Sequence, residues 1–124
     1  MIKKLALSAV VLASSLFATG EVNVYSHRHY DSDKILFKKF EDKTGIKVNV
    51  VTAKAEELVS KLAIEGENTP ADLLITSDIG NLYEAKSRSL LQATNSKILT
   101  ENIPSHLRDS DNSWFALTKR ARIF

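Results

Sequence analysis

Four consecutive residues near the start of the chain are unusual for a plain loop, and two of them suit metal binding. His27, Arg28, His29 and Tyr30 include two of the three histidines in the sequence. His29 and Tyr30 together offer an imidazole nitrogen, which binds iron, copper, zinc and nickel, and a phenol oxygen. Because the phenol of tyrosine has a reference pKa of about 10, a bound metal must displace its proton at neutral pH. A trivalent ion does this far better than a divalent one, so the pair suits ferric iron.

The same loop has a simpler interpretation, in which it is solvated, Tyr30 packs on the edge of a sheet and the histidines are exposed. Two adjacent donors are too few for a stable metal site, which needs four or more. The other tyrosines are Tyr25, in a predicted strand, and Tyr83, on a predicted helix. His106, the third histidine, follows Pro104 in an irregular stretch and is most simply a surface residue. The residues alone therefore indicate a site without completing it.

Apolar patterning predicts an alternation of strands and helices along the chain. The predicted strands cover residues 22–25, 47–51, 72–76 and 114–124. The predicted helices run from the capping residues 31–33 to Gly45, over 53–65 and over 78–86. The strand over residues 72–76 is continuously apolar in its middle, which is typical of a strand covered on both faces. This order predicts an α/β fold with an open, mostly parallel sheet and flanking helices.

The predicted topology places two loops at one crevice. If the second strand lies on one side of the first and the third strand on the other, both right-handed crossovers are satisfied. The strand order then reverses between the first and third strands, and ligands bind at such a point beyond the carboxyl ends of the strands. The loops at residues 26–30 and 76–78 would converge there, each at a helix N-terminus. Ser77 lies in the second of these loops.

Composition excludes several classes of function. The chain has 124 residues and no cysteine, which leaves no disulfide and no cysteine-based zinc site. Its formal charge is +2, but without Lys3 and Lys4 the counts of basic and acidic residues are equal at 15. That balance argues against a nucleic-acid-binding protein, and the few scattered glycines form no nucleotide-binding motif. Ser77 has no histidine at a spacing that connects to it, so the sequence gives little support for an enzyme.

Residues 1–20 have the pattern of a secretory signal peptide. Lys3 and Lys4 precede an apolar run over residues 5–18, and Ala18 and Gly20 supply the small residues of a cleavage site. The apolar run is shorter than the roughly 20 residues that a membrane-spanning helix needs. Because the chain lacks cysteine, we expect export to a bacterial periplasm. The remaining residues 21–124 are enough for one small domain.

Three stretches carry a resemblance to a known family, and they extend from Val22 to Phe124. VYSHRHYDSDKILFKKFEDKTGIKV, AEELVSKLAIEGENTPADLLITSD and WFALTKRARIF resemble the periplasmic ferric-ion-binding proteins of bacterial iron ABC transporters. The pattern FxxxTGIKV is common among solute-binding proteins, whereas the His-Tyr pair together with TKRAR is more specific. The resemblance implies that residues 21–124 form part of the N-terminal lobe of a type II, two-lobed solute-binding protein. In such proteins the metal is bound in the cleft between the lobes.

The resemblance also implies roles for individual residues. Tyr30 corresponds to a ligand of ferric iron, and His29 to a second ligand in the subgroup that carries this pair. Arg120 and Arg122 fall on a strand that leads toward the hinge in the family. The residues expected to surround the metal ligands or to hold a synergistic anion are Arg28, Ser77, Arg120 and Arg122.

Family members are much longer, and their other tyrosine ligands, including an adjacent pair, lie beyond the strand at which this sequence stops. We therefore expect a truncated form of a periplasmic protein that captures ferric iron and delivers it to an inner-membrane ABC permease. The expected contact with the membrane is through that permease alone. With Tyr30 and His29 as its only candidate ligands, the chain is not expected to complete the site by itself.

An alternative function remains open on the residues. The chain would then be a solute-binding lobe for a small organic anion or amine. Arg28 and the helix N-termini would form the site, and Tyr30 would provide a stacking wall. Substitution of Tyr30 by phenylalanine separates the two functions, because metal binding requires the phenol oxygen and stacking does not.

Overall fold

The computed structural model describes residues 20–121 and residue 123. A three-stranded parallel sheet contains β1 (Glu21–Ser26), β2 (Lys47–Thr52) and β3 (Leu73–Ile75) in the order β2-β1-β3. The predicted α/β fold is confirmed, and so is the reversal of strand order between the first and third strands. Residues 1–19 of the predicted signal peptide lie outside the described residues, as do Arg122 and Phe124.

The helices of the described chain are α1 (Asp31–Thr44), α2 (Ala55–Glu65), α3 (Ile79–Ser87) and α4 (Lys97–Asn102). Short 3-10 turns follow at Gly66–Asn68 and Ser105–Leu107. The first helix ends where Gly45 adopts a φ of 74°, a left-handed conformation that costs glycine little. None of these helices has the length and apolar character needed to cross a membrane.

The core lies between β1 and α2. Tyr25 of β1 packs against Leu58 and Leu62, which share the buried face of α2. The Tyr25 hydroxyl donates to the two carboxylate oxygens of Glu65, at 3.0 and 2.9 Å. Thr69 also donates to this carboxylate, at 2.8 Å. This packing fixes β1, whose carboxyl end carries the predicted metal-binding loop.

One strand and one helix are less buried than the sequence predicts. Leu73 of β3 is 52% exposed, so the prediction that this strand is covered on both faces is wrong. The strand has three residues and lies at an edge of the sheet, where no described strand or helix covers Leu73. The helix α1 likewise has no buried residue, although its sequence carries an apolar stripe.

The predicted strand over residues 114–124 is also wrong for the residues described. Phe115 forms a single antiparallel bridge with Arg108, and the Ala116 N–H donates to the Leu107 carbonyl at 2.8 Å. The backbone of this segment thus pairs with the preceding turn instead of the sheet. Trp114 at the start of this segment is buried, 8% exposed, without belonging to a strand of the sheet.

Candidate cationic cleft at the carboxyl ends of β1 and β3

The loops that follow β1 and β3 converge on a cleft of about 340 Å³. The His27 N–H donates to the Ile75 carbonyl at 2.9 Å, which joins the first loop to the end of β3. Both loops also precede a helix, α1 or α3, as predicted. The residues that line the cleft are His27, Arg28, His29, Tyr30, Ser77, Thr118, Lys119 and Arg120.

The first loop is shaped by a buried serine. The Ser26 hydroxyl accepts a hydrogen bond from the Arg28 N–H and lies 3.1 Å from the Arg28 carbonyl, to which it donates. His27 is half-buried, with Nδ1 3.4 Å from the Ala53 carbonyl oxygen. The loop therefore turns sharply beyond β1, and it leaves His29 and Tyr30 exposed.

Arg28 is held by an ion pair with Asp33. Its Nε and Nη2 donate to the two carboxylate oxygens of Asp33, each at 2.9 Å. This hydrogen bonding raises the pKa of Arg28 above its ordinary value. The prediction that one of residues 31–33 caps the helix is wrong, because Tyr30 occupies the N-cap position and no side chain caps α1. The Asp33 carboxylate pairs with Arg28 instead of capping the helix.

Tyr30 lies close to the side chains of Arg28 and His29. The His29 ring stacks on it with centroids 5.4 Å apart, and the guanidinium carbon of Arg28 lies 5.1 Å from its centroid. The side chain nevertheless remains 47% exposed. Its phenol is therefore held in a restricted orientation while solvent can reach the residue.

The rest of the lining, here called the cationic wall, comes from Ser77 and from residues 118–120. Ser77 is followed by Asp78, whose carboxylate accepts from the Asn81 N–H at 3.2 Å and caps α3. The cleft contains the predicted residues Arg28, Ser77 and Arg120, while Arg122 lies outside the described residues.

The site residues predicted from the sequence do not include Thr118, Lys119 or His27, which also line the cleft. Lys119 adjoins Arg120 in the TKRAR sequence, and His27 adjoins Arg28. Adjacency to a predicted site residue is therefore the sequence feature that could have identified both. His106 is exposed, and neither Tyr25 nor Tyr83 lines the cleft, in agreement with the interpretation of all three as structural or surface residues.

The cleft is electrostatically positive. Its lining includes Arg28, Lys119 and Arg120 but no aspartate or glutamate. The Arg28 charge is offset by Asp33, whereas Lys119 and Arg120 form no ion pair with any described carboxylate. The described residues contain no cluster of three His, Cys, Asp or Glu side chains arranged for a metal. The local field thus favours an anion, and Tyr30 and His29, the metal ligands predicted from the sequence, lie in the same lining.

Known proteins resemble this chain over most of its length. No family model matches it. Iron uptake protein A1 of Synechocystis sp. is 47% identical over 103 residues, which cover 83% of the chain and 29% of the relative. Iron uptake protein A2 of the same organism is 38% identical over 122 residues, which cover 95% of the chain and 34% of the relative. The chain therefore spans about a third of the length of these curated relatives.

Solved structures show the same similarity. The ferric binding protein from Campylobacter jejuni is 57% identical with a TM-score of 0.74, over 76% of this chain and 30% of that one. A Trichodesmium protein (FutA) in complex with iron and citrate is 42% identical with a TM-score of 0.75, over 77% and 30% of the two chains. The α/β fold is that of part of a type II periplasmic binding protein. In sequence and in fold the chain is thus similar to part of the bacterial ferric-iron-binding proteins, of whose length it spans about a third.

Proposed function

We propose that this chain contributes to the capture of ferric iron in the periplasm and to its delivery to an inner-membrane ABC permease. The observation that carries the proposal is the convergence of Tyr30 and His29 with Ser77, Lys119 and Arg120 on one cleft. Relatives that cover most of the chain are named for iron uptake and ferric iron binding. Residues 1–20 would direct export, and residues 21–124 would form part of the N-terminal lobe.

In the proposed mechanism iron is the cargo, and the chain binds it without chemical conversion. The charge of Fe³⁺ displaces the phenol proton of Tyr30, and the phenolate oxygen then neutralises part of that charge. His29 supplies a second donor from the adjacent position. Because two donors cannot complete a ferric site, a synergistic anion and residues outside this chain would supply the others.

The anion would lie against the positive wall of the cleft. Lys119 and Arg120 carry charges that no described carboxylate offsets, and the Ser77 hydroxyl can donate a hydrogen bond from the neighbouring loop. Arg28 contributes less charge because Asp33 occupies two of its donors. Arg122 remains a predicted anion contact. The closed form of the complete protein would then bind the permease, which reopens it.

Binding of a small organic anion is the second candidate function. The positive lining of the cleft and the half-exposed ring of Tyr30 favour it. Such a ligand would stack on the ring and pair with Lys119 and Arg120. The two functions differ in whether they require the Tyr30 oxygen.

A ferric citrate titration of the purified chain tests the proposal. Coordination of Tyr30 should produce a visible tyrosinate-to-iron charge-transfer band that appears only with excess ferric citrate, since two donors bind weakly. Tyr30→Phe should abolish the band, and Tyr83→Phe is the matched control because Tyr83 is exposed and lies outside the cleft.

Each other outcome has a defined meaning. A band that persists in Tyr30→Phe, or no band in the unmodified chain, would contradict iron binding at Tyr30. A full band at one equivalent of iron would contradict the incomplete site. Citrate binding without iron that survives Tyr30→Phe, with no band at any concentration, would instead support the organic-anion function.

A further inference from the structure

The loop over residues 109–113, here called the acidic loop, is fastened to the end of α3. Lys86, in the last turn of α3, forms an ion pair with Asp109 and a second one with Asp111, whose oxygen lies 3.1 Å away. Asp109 also accepts from the Ser113 hydroxyl at 2.7 Å and from the Ser110 N–H at 2.8 Å. The Asp109 side chain is 11% exposed and therefore largely shielded from solvent, whereas those of Lys86 and Asp111 are 33% and 52% exposed.

The segment that leaves the acidic loop runs back along α3 toward the cleft. Trp114 lies with its ring 6.4 Å from that of Tyr83, which precedes Lys86 by about one helical turn. Residues 118–120 then line the cleft beside Ser77, immediately before the cap of α3. Nine helical residues span about 13 Å, and residues 114–120 can reach roughly 20 Å when extended. The segment is therefore long enough to run the full length of α3.

Few other contacts hold the end of this segment. The Ala116 N–H donates to the Leu107 carbonyl. The described residues after it, 117–121, belong to no strand or bridge. Trp114 Nε1 and Arg108 Nε are buried and form no hydrogen bond in the described part of the chain. Lys86 thus joins the acidic loop, and through it this segment, to α3 by two ion pairs, while the Thr94 N–H donates to the Asn112 carbonyl of the same loop at 3.0 Å.

We propose that Lys86 is a positioning residue for the cleft, because its ion pairs hold residues 114–120 along α3 and thereby place Lys119 and Arg120 in the wall. Lys86 does not line the cleft and touches no candidate ligand. The effect of Lys86 on ligand binding rests on the proposed function, whereas its effect on the position of residues 114–120 does not. The two can therefore be measured separately.

Segment position can be measured with spin labels, because the chain contains no cysteine. Lys39→Cys and Leu117→Cys place labels on the exposed side of α1 and next to the cleft wall. Double electron–electron resonance should give one narrow distance distribution in the otherwise unmodified chain. Lys86→Met should broaden it, and Lys97→Met is the matched control because it removes the exposed ion pair between Lys97 and Glu101.

Binding is measured by the ferric citrate titration at the tyrosinate band. If loss of the ion pair lowers the docked population to about a tenth, apparent affinity falls about tenfold. Lys86→Met and Asp109→Asn should each produce this loss, and the double variant should lose no more than either one. Lys86→Arg should restore both readouts, which separates a charge effect from general destabilisation.

A narrow distribution in folded Lys86→Met would overturn the proposal, and Asp109→Asn provides the same test if Lys86→Met does not fold. A broadened distribution with unchanged affinity would show that Lys86 orders the segment without positioning the site, and this also overturns it. If the unmodified chain gives no ferric band, the proposed function fails. The distance measurement still decides whether Lys86 holds the segment.

Discussion

Asp33→Asn should strengthen anion binding at the cleft, although it removes an ion pair. Asp33 neutralises Arg28 through two contacts of 2.9 Å, and asparagine retains one acceptor while losing the charge. The Arg28 guanidinium carbon lies 5.1 Å from the centre of the Tyr30 ring. We take about 5 Å as the distance between the Arg28 charge and an anion bound beside Tyr30. Two unit charges about 5 Å apart in water interact by about 0.8 kcal/mol.

Salt screening and ligand charge set the final magnitude. At 0.1 M salt the Debye length is about 10 Å, which reduces the interaction to about 0.5 kcal/mol per unit charge. A phosphate dianion would gain about 1 kcal/mol, or roughly fivefold in affinity. Backbone amide chemical shifts of Tyr30 and Ser77 during a phosphate titration would measure this gain.

Asp31→Asn is the control for this experiment. It makes the same charge change in the same helical turn, but Asp31 pairs with Lys34 and its side chain is 89% exposed. We expect less than a twofold change for this variant, since surface ion pairs contribute little. If Asp33→Asn binds phosphate no more tightly than Asp31→Asn, then Asp33 does not mask the charge of Arg28. The reasoning would also be refuted if the gain persisted at about 1 M salt, where the Debye length is about 3 Å.

Two further predictions concern acid and core stability. Hydrogen bonding to Lys86 lowers the pKa of Asp109 to about 2, so its stabilising effect is complete above the unfolded value of about 3.9 and is lost as pH falls toward about 2. The fluorescence of Trp114, the single tryptophan, should be constant from about pH 7 to 5 and should change below about pH 4. Leu58→Ala should lower the unfolding free energy by about 3 kcal/mol in urea, since Leu58 is fully buried. Ile64→Ala, at an exposed position of the same helix, should change it by less than about 0.5 kcal/mol.

The strands and helices that position the two converging loops could be predicted because the residues that end or begin each helix lie next to it in the sequence. Gly45 ends α1 in a left-handed conformation, and Gly66 ends α2 with a φ of 54°. Asp78 caps α3 through its own side chain. The order of the three strands followed from the handedness of their crossovers, which depends on chain direction and not on particular contacts. These features sufficed to predict that the loops at residues 26–30 and 76–78 converge.

The other side of the cleft could not be predicted because it depends on pairing between distant residues. The apolar residues of the final segment favour a strand, but their position is set by Lys86, Tyr83 and Arg108. Neither propensity nor periodicity reveals such partners. The six-residue helix α4 is too short for a clear periodic pattern, although Ser96 caps it and Pro104 follows it.

Tyr30 and the cationic wall are therefore held by separate parts of the fold. Tyr30 follows directly from the central strand through a turn closed by Ser26, so its position depends on the sheet. Lys119 and Arg120 depend on the side-chain contacts along α3. A perturbation of Lys86 should consequently weaken anion binding while the position of the tyrosinate band stays unchanged, because that band reports on the phenolate–iron bond alone. Loss of the Tyr30 oxygen should have the reverse effect, removing the band while phosphate binding survives. If both properties changed together in either variant, the two walls would be one structural unit.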